Sequence, residues 1–357
     1  MAPMSEIRQE DNTAKPTADK PVLLFGGLLI LFILVFILDL FLGSVSLRPA
    51  EVIRAIFNNS DETTRTILSE FRLPKAITAL LAGIALSISG LQMQTLFRNP
   101  MAGPYVLGLS SGASLGVAFV ILGFSADMTP ESIRGFGNWA IAAASWAGAG
   151  IVMLFIMIIS SRIKNIMTVL ILGIMLSSAI SAIVSIMQYF SNETMLKAYV
   201  IWTMGSLGNL TGSQLNVMLA SVAIGVILSL ISVKMLNAHL LGENYARSIG
   251  LDVKRSRIII IAGTSILTGT ITAFCGPIGF IGIAVPHLAR IIFRTSDHRI
   301  LIPGTILAGA IVMLASDIVS QMPGSDNTLP VNSVTALIGI PVVIWVILHD
   351  KRNRDIF

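Results

Sequence analysis

The chain has 357 residues, 54% of them hydrophobic and only 12% charged, with a mean hydropathy of +0.83 and a formal net charge of +5. A soluble domain carries about 25% charged residues, so a water-soluble globule is excluded and lipid must cover much of the apolar surface. Nucleic acid is excluded as a partner too: the basic residues stand in short runs between apolar segments, as topology signals do, and form no phosphate-binding face.

Residues 1–21 are polar and mixed in charge, with Pro16 and Pro21, and are expected to form a flexible cytoplasmic tail. The apolar run from Val22 to Leu42 is too long for a signal-peptide core and reads as a retained first membrane helix. Residues 43–72 are expected to form an outside loop, partly helical. Further spans follow at 76–96, 105–123, 136–159, 166–188, 214–236, 258–275, 281–294, 301–320 and 334–349, two of them (105–123 and 281–294) short and interrupted by Gly, Ser or Pro. The predicted fold is all-α, a polytopic membrane protein with about ten transmembrane helices, in one domain over 22–349. A short cytoplasmic tail at 350–357 completes the chain.

Ten spans put both termini on one side. If that side is the cytoplasm, it receives 17 of the 24 Lys and Arg residues, as the positive-inside rule asks. Five of the seven on the other side, Arg48, Arg54, Arg65, Arg72 and Lys75, crowd the first outside loop and need another explanation.

Small residues mark close helix packing. Gly108, Gly112 and Gly116 recur every four residues on the third span, and Gly83, Ser87 and Gly90 make a similar stripe on the second. Leu81-Ala82-Gly83 with Gly90 echoes Leu267-Thr268-Gly269 with Gly276, but matches this short do not separate an inverted repeat from chance.

Chemistry-bearing clusters are scarce. Gly276-Pro277-Ile278-Gly279-Phe280-Ile281-Gly282 has no Gly-Lys-Ser/Thr after it, so it reads as a turn and not a phosphate loop. Any ATP-driven work therefore needs a nucleotide site on another chain. His239, His298 and His349 fall at cytoplasmic ends and His287 stands alone, none at metal-ligand spacing. Cys275 reads as a small packing residue. Asp39 and Asp317 lie toward the outer ends of their helices, where a lone acid suits packing or gating better than a proton relay. No catalytic, cofactor or metal site is expected.

The segment 237–256 is the most informative connector. Gly242 and Gly250 bracket a short helix, with Gly250 suited to the position just past a helix end. Glu243 and Arg247 are spaced to pair across one turn, worth roughly 0.2–0.5 kcal/mol. Leu240, Leu241, Tyr245 and Ile249 supply apolar side chains. The segment is either a solvated connector or a docking element for a cytoplasmic partner, and the apolar residues favour docking.

Five ordered stretches carry a family resemblance: Arg72-Leu73-Pro74-Lys75; Gly90-Leu91-Gln92 running on through Phe97-Arg98-Asn99-Pro100-Met101-Ala102-Gly103-Pro104 to Gly108-Leu109-Ser110-Ser111-Gly112-Ala113; Leu241-Gly242-Glu243 to Gly250-Leu251; Gly276-Pro277-Ile278-Gly279-Phe280 with Val285-Pro286-His287-Leu288-Ala289-Arg290; and Leu329-Pro330-Val331 with Thr335-Ala336-Leu337-Ile338-Gly339. Together they resemble the permeases of iron-chelate and cobalamin ABC importers, the type II importer family, over nearly the whole chain from residue 22 onward. The resemblance implies a multi-pass protein of the cell inner (cytoplasmic) membrane, a homodimer with two ABC ATPase subunits below and a periplasmic or lipoprotein binding protein outside. It implies ATPase coupling through the hairpin, Leu240, Leu241, Gly242, Glu243, Tyr245, Arg247, Ile249 and Gly250. It also implies binding-protein docking at Arg72 and Lys75, and a cytoplasmic gate at Asn99 and Met101 with Asn165, Ile166 and Met167. A further basic docking residue of the cobalamin permease is matched here by Gln321, a departure that counts against cobalamin. The expected cargo is a metal chelate, ferric siderophore first, then haem, then cobalamin. The rival class is a secondary transporter without an ATPase.

Overall fold

A computed structural model describes residues 19–43, 52, 54, 61–123, 130–163, 165–208, 210–322 and 328–349. The tails at 1–18 and 350–357, and much of the 43–72 loop, lie outside the described residues. In chain order the helices are α1 Asp19–Phe41, α2 Glu62–Thr66, α3 Leu73–Leu96, α4 Leu109–Ile121, α5 Pro130–Arg162, α6 Ile166–Phe190, α7 Glu193–Thr203, α8 Gly212–Ile231, α9 Val233–Leu240, α10 Glu243–Ser248, α11 Val253–Cys275, α12 Ile281–Phe293, α13 His298–Ser320 and α14 Val331–His349. A π turn, Ile67–Arg72, joins α2 to α3, and a 3-10 turn, Pro104–Leu107, precedes α4.

Among the described residues seven helices are long and apolar enough to cross a bilayer, and three shorter apolar ones, α4, α12 and α14, correspond to the remaining predicted spans. Two elements differ from the sequence reading. The sixth predicted span ran to 236, but the helix turns at Ser232, and Val233–Leu240 belongs to the hairpin. The short α7 was not foreseen; Asn192 caps it by accepting from the Met195 N–H at 2.9 Å.

The bundle is organised around α3 and α11. The spanning windows of the helices containing them are 83% and 72% buried, against none of α1, whose exposed Leu, Ile and Val residues make a lipid-facing surface. Helices α8, α11, α12 and α13 pack on α3, and α5 packs on both α4 and α11.

Glycine decides how close these helices come. A Cβ on Gly83 would run into the backbone of Gly309 in α13, and one on Gly90 into the carbonyl of Gly282 in α12. Pro286 has no N–H, so the Gly282 carbonyl lacks its usual donor four residues on and is free to face Gly90. Gly112 and Gly116 meet Gly148 and Ala144 of α5 in the same way. Gly108 has a different use from the one its spacing gave it: at φ +80° it is the left-handed residue between the 3-10 turn and α4.

Helices α4 and α12 have 13 residues each, about 20 Å of helix, too short to cross alone. Irregular backbone precedes both, and the chain satisfies it internally, as lipid requires. Ile278 N–H donates to the Tyr105 hydroxyl at 3.2 Å, and Gly279 N–H to Asn332 Oδ1 at 2.9 Å. The Pro100 carbonyl lies 2.9 Å from His287 Nε2.

Because the obstacle at Gly90 is backbone, Gly90→Ala is expected to cost about 1–3 kcal/mol or more by overpacking. Gly150→Ala, with nothing within 4 Å of its Cβ and inside α5, should be neutral or stabilise by up to about 1 kcal/mol. Thermal unfolding of the two variants in detergent measures the difference; equal melting temperatures would contradict the packing described.

Candidate functional site

One end of the bundle carries the hairpin formed by α9 and α10. Ser232 redirects the chain out of α8, and Gly242, at φ +97°, reverses it between the two short helices. At the far end of α10 the Gly250 N–H bonds the Arg247 carbonyl at 3.0 Å and the Leu251 N–H bonds the Ala246 carbonyl at 3.0 Å. With Gly250 at φ +87° this is a Schellman cap. Its apolar partner is in place: Leu251 packs on Ala238, Ala246 and Val253 in a small core of the hairpin's own. Asp252 then caps α11 through the N–H groups of Lys254 and Arg255 at 3.0 and 3.1 Å.

That small core leaves one apolar face uncovered. Leu241, Tyr245 and Ile249 are 63%, 48% and 57% exposed; Leu241 is the C-cap residue of α9, Tyr245 lies within α10 and Ile249 is the C-cap residue of α10. Leu240, the last residue of α9, is half-buried beside the turn. The expected Glu243–Arg247 pair is loose, at 3.8 Å. The tighter partner of Glu243 is the buried Arg257 of α11, in an ion pair whose other arm reaches the Ile163 carbonyl at 3.1 Å. Behind them His239 lies 2.9 Å from the Ser256 hydroxyl. Burial holds its imidazole below the ordinary pKa, with Glu243 opposing and Arg257 reinforcing, so His239 is neutral at pH 7.

The two predicted gate segments share one local geometry. Asn99 Oδ1 accepts from the Met101 N–H at 2.9 Å, and Asn165 Oδ1 accepts from the Met167 N–H at 2.9 Å. Each is an Asx turn that fixes the chain as it enters the next element. A cavity of about 740 Å³ brings Asn165, Ile166 and Met167 together with Arg98, Arg290 and the hairpin residues Leu240 to Tyr245. Asn99 and Met101 do not line it; their turn begins at Arg98, which takes a left-handed φ of +48° and whose guanidinium faces Gly242.

The opposite end holds a buried polar cluster. Lys75 pairs with Asp317 at 3.0 Å. Gln321 Nε2 donates to Asp317 Oδ2 at 2.9 Å and to Asp39 Oδ1 at 3.2 Å. Arg72 is 8% exposed and donates to the Leu40 and Phe41 carbonyls at 2.7 and 2.9 Å, where a cation meets the negative end of α1. Asp39 and Asp317 are thus not lone acids, and Arg72 and Lys75 both have in-chain partners. A second cavity, of about 600 Å³, opens beside Lys75 and is lined by Trp202, Gln214, Phe274 and Ser320 among others.

Sequence reasoning missed Arg257, which stood in a basic run that read only as a topology signal. It also missed the set of Asn237, Asp297 and His298. Asn237 Nδ2 donates to Asp297 Oδ1 at 2.7 Å, and Asn237 Oδ1 lies 2.7 Å from His298 Nδ1. His298 Nε2 in turn lies 2.8 Å from the Thr95 hydroxyl of α3. Their contacts span 60 to 203 positions of sequence, and spacing carries no signal at that range. Among the described residues no group of three or more His, Cys, Asp or Glu is placed to hold a metal.

A bundle of about ten membrane helices with two broken spans, an apolar hairpin at one end and an Asx-turn pair beside it defines a polytopic membrane permease. Comparison with known proteins makes this specific: the FecCD transport family matches residues 30–349, and the chain belongs to that family, the permeases of type II ABC importers. It is 34% identical over 351 residues to an ABC transporter permease protein of Methanocaldococcus jannaschii, covering 93% of this chain and 99% of that one. It is 37% identical over 284 residues to the vitamin B12 import system permease protein of Escherichia coli, covering 79% and 84%. A solved metal-chelate type ABC transporter in an inward-facing conformation has a TM-score of 0.78 at 26% identity, over 92% of this chain and 99% of that one. Membership of an ABC importer family sets the secondary-transporter reading aside.

Lys75→Met strands the buried Asp317 and is expected to cost roughly 3–5 kcal/mol, most of it recovered in Lys75→Met/Asp317→Leu. Thermal unfolding in detergent checks this. A single variant as stable as the parent would contradict the buried pairing described.

Proposed function

We propose that this chain forms, with a second copy of itself, the membrane path of an ABC importer for a metal chelate, and that ATP is hydrolysed on two separate ATPase subunits seated on the hairpin. The observation that carries the coupling role is the apolar face of Leu241, Tyr245 and Ile249, exposed at the tip of a hairpin with its own core and bordering the cavity that holds Asn165 to Met167. Water does not favour such a face, and a groove on a partner does. Leu240, Gly242, Glu243, Arg247 and Gly250 shape and brace it. In this reading the hairpin end and both chain termini are cytoplasmic, and Asn99, Met101, Asn165, Ile166 and Met167 close the path at that end. A binding protein delivers cargo at the opposite end.

Ferric siderophore is the first-choice cargo, with haem and cobalamin after it. Support comes from the metal-chelate type transporter of similar structure and from the sequence difference at Gln321, whose amide here is engaged by Asp39 and Asp317. The vitamin B12 permease relative keeps cobalamin as the alternative.

Tyr245→Asp puts an unpaired charge into the proposed ATPase contact. The dimer should still form and the binding protein still dock, while ATPase association with inside-out vesicles falls about tenfold or more. Undiminished association and transport would mean that the hairpin is not the coupling element, and association with right-side-out vesicles would invert the topology. Competition among ferric siderophore, haem and cobalamin for uptake by the parent transporter, in right-side-out vesicles loaded with ATP, orders the cargo; uptake of cobalamin alone would reverse the ranking.

A further inference from the structure

We infer that Arg257 is a positioning residue that makes the second gate segment follow the hairpin, an inference that rests on the coupling role proposed above. Arg257 is the fifth residue of α11, and its side chain is 3% exposed. One arm of its guanidinium is ion-paired with Glu243, the first residue of α10. Another donates to the carbonyl of Ile163 at 3.1 Å. Ile163 lies two residues before Asn165, whose side chain caps α6 by accepting from the Met167 N–H.

A planar, always-charged fork holds two acceptors at a fixed separation, which a lysine ammonium does not. With the Arg257 side chain 3% exposed and that of Glu243 24% exposed, this charge-assisted link is costly to break. Displacement of Glu243 is therefore passed to the Ile163 backbone at the end of α5, two residues before the Asn165 turn in sequence. The set of Asn237, Asp297, His298 and Thr95 makes a separate connection to α3, the helix that leads into Asn99. The hairpin is thus tied to both gate segments by different groups, and the Arg257 arm is specific to the second.

The test uses the whole transporter, permease dimer with ATPase and binding protein, in proteoliposomes, reading transport per ATP hydrolysed and the ATP-driven change in distance between spin labels at Met167 of the two copies. Arg257→Lys keeps the charge beside Glu243 and loses the fork. It is expected to hydrolyse ATP near the parent rate while transport per ATP falls at least tenfold and the label distance stops responding. The double variant Glu243→Met/Arg257→Met replaces the buried pair with apolar groups of similar length, a change the fold tolerates; it removes the tie without leaving a stranded charge and is expected to show the same drop in transport per ATP. Parent-like transport per ATP and label movement in either folded variant would overturn the inference while leaving the hairpin's role intact. Failure of the hairpin's role itself is read separately, from Tyr245→Asp.

Discussion

Lipid offers no hydrogen bonds, so every peptide group in the membrane interior must find its partner within the chain. Most do so in helices, but this protein breaks two spans, and the rest of its architecture depends on how those breaks are closed. The backbone before α12 is held by Tyr105 from the other broken span and by Asn332 from α14. The turn before α4 is met by His287 from α12. These cross-ties require the helices to come close. Gly83 and Gly90 permit it by bringing α3 into backbone contact with α13 and α12.

With α3 fixed in that way, its two ends acquire different characters. Its N-terminal end lies in a set of buried charges, Lys75 with Asp317 and Arg72 over the end of α1. Pairing offsets part of the desolvation cost of these charges, and removing one member strands its partner, which is strongly destabilising. Its C-terminal end meets His298 through Thr95 and runs into the Asn99 turn. The hairpin is bound to this end through Asn237 and to the end of α5 through Glu243 and Arg257, while Leu241, Tyr245 and Ile249 stay exposed. One end thus resists rearrangement, and the other has the connections through which a force applied to the hairpin reaches the turns beside it.

Much of the fold was legible in the sequence because the membrane imposes a simple rule. About twenty apolar residues in a row make a helix, and the long spans follow it without ambiguity. The short spans were legible as interruptions, since Gly108, Gly276 and Pro286 are poor interior helix residues. The interruption at Ser232 was not, because Val233, Met235 and Leu236 continue the apolar character of α8 past the point where the helix ends. α7 was not either, since eleven amphipathic residues look the same as a loop. In the hairpin, Gly242, Gly250 and the exposed apolar residues were readable from local rules for caps and turns. Arg257 was not, for its sequence neighbours Lys254 and Arg255 give it the look of a topology charge, and only the return of the chain places it between Glu243 and Ile163. The same holds for Arg72 and Lys75: their charge was plain in the sequence, and their acceptors, 31 to 242 positions away in the chain, were not.

The central claim is that the hairpin and the Asn165 turn move as a connected unit when the ATPase subunits engage. Spin labels placed at Ile249 in one preparation and at Met167 in another, on the otherwise unaltered transporter with its ATPase and binding protein, report this directly as distances between the two copies. The account predicts that ATP binding shifts both distances, with the same dependence on nucleotide concentration. A shift at Ile249 with Met167 unmoved would contradict it.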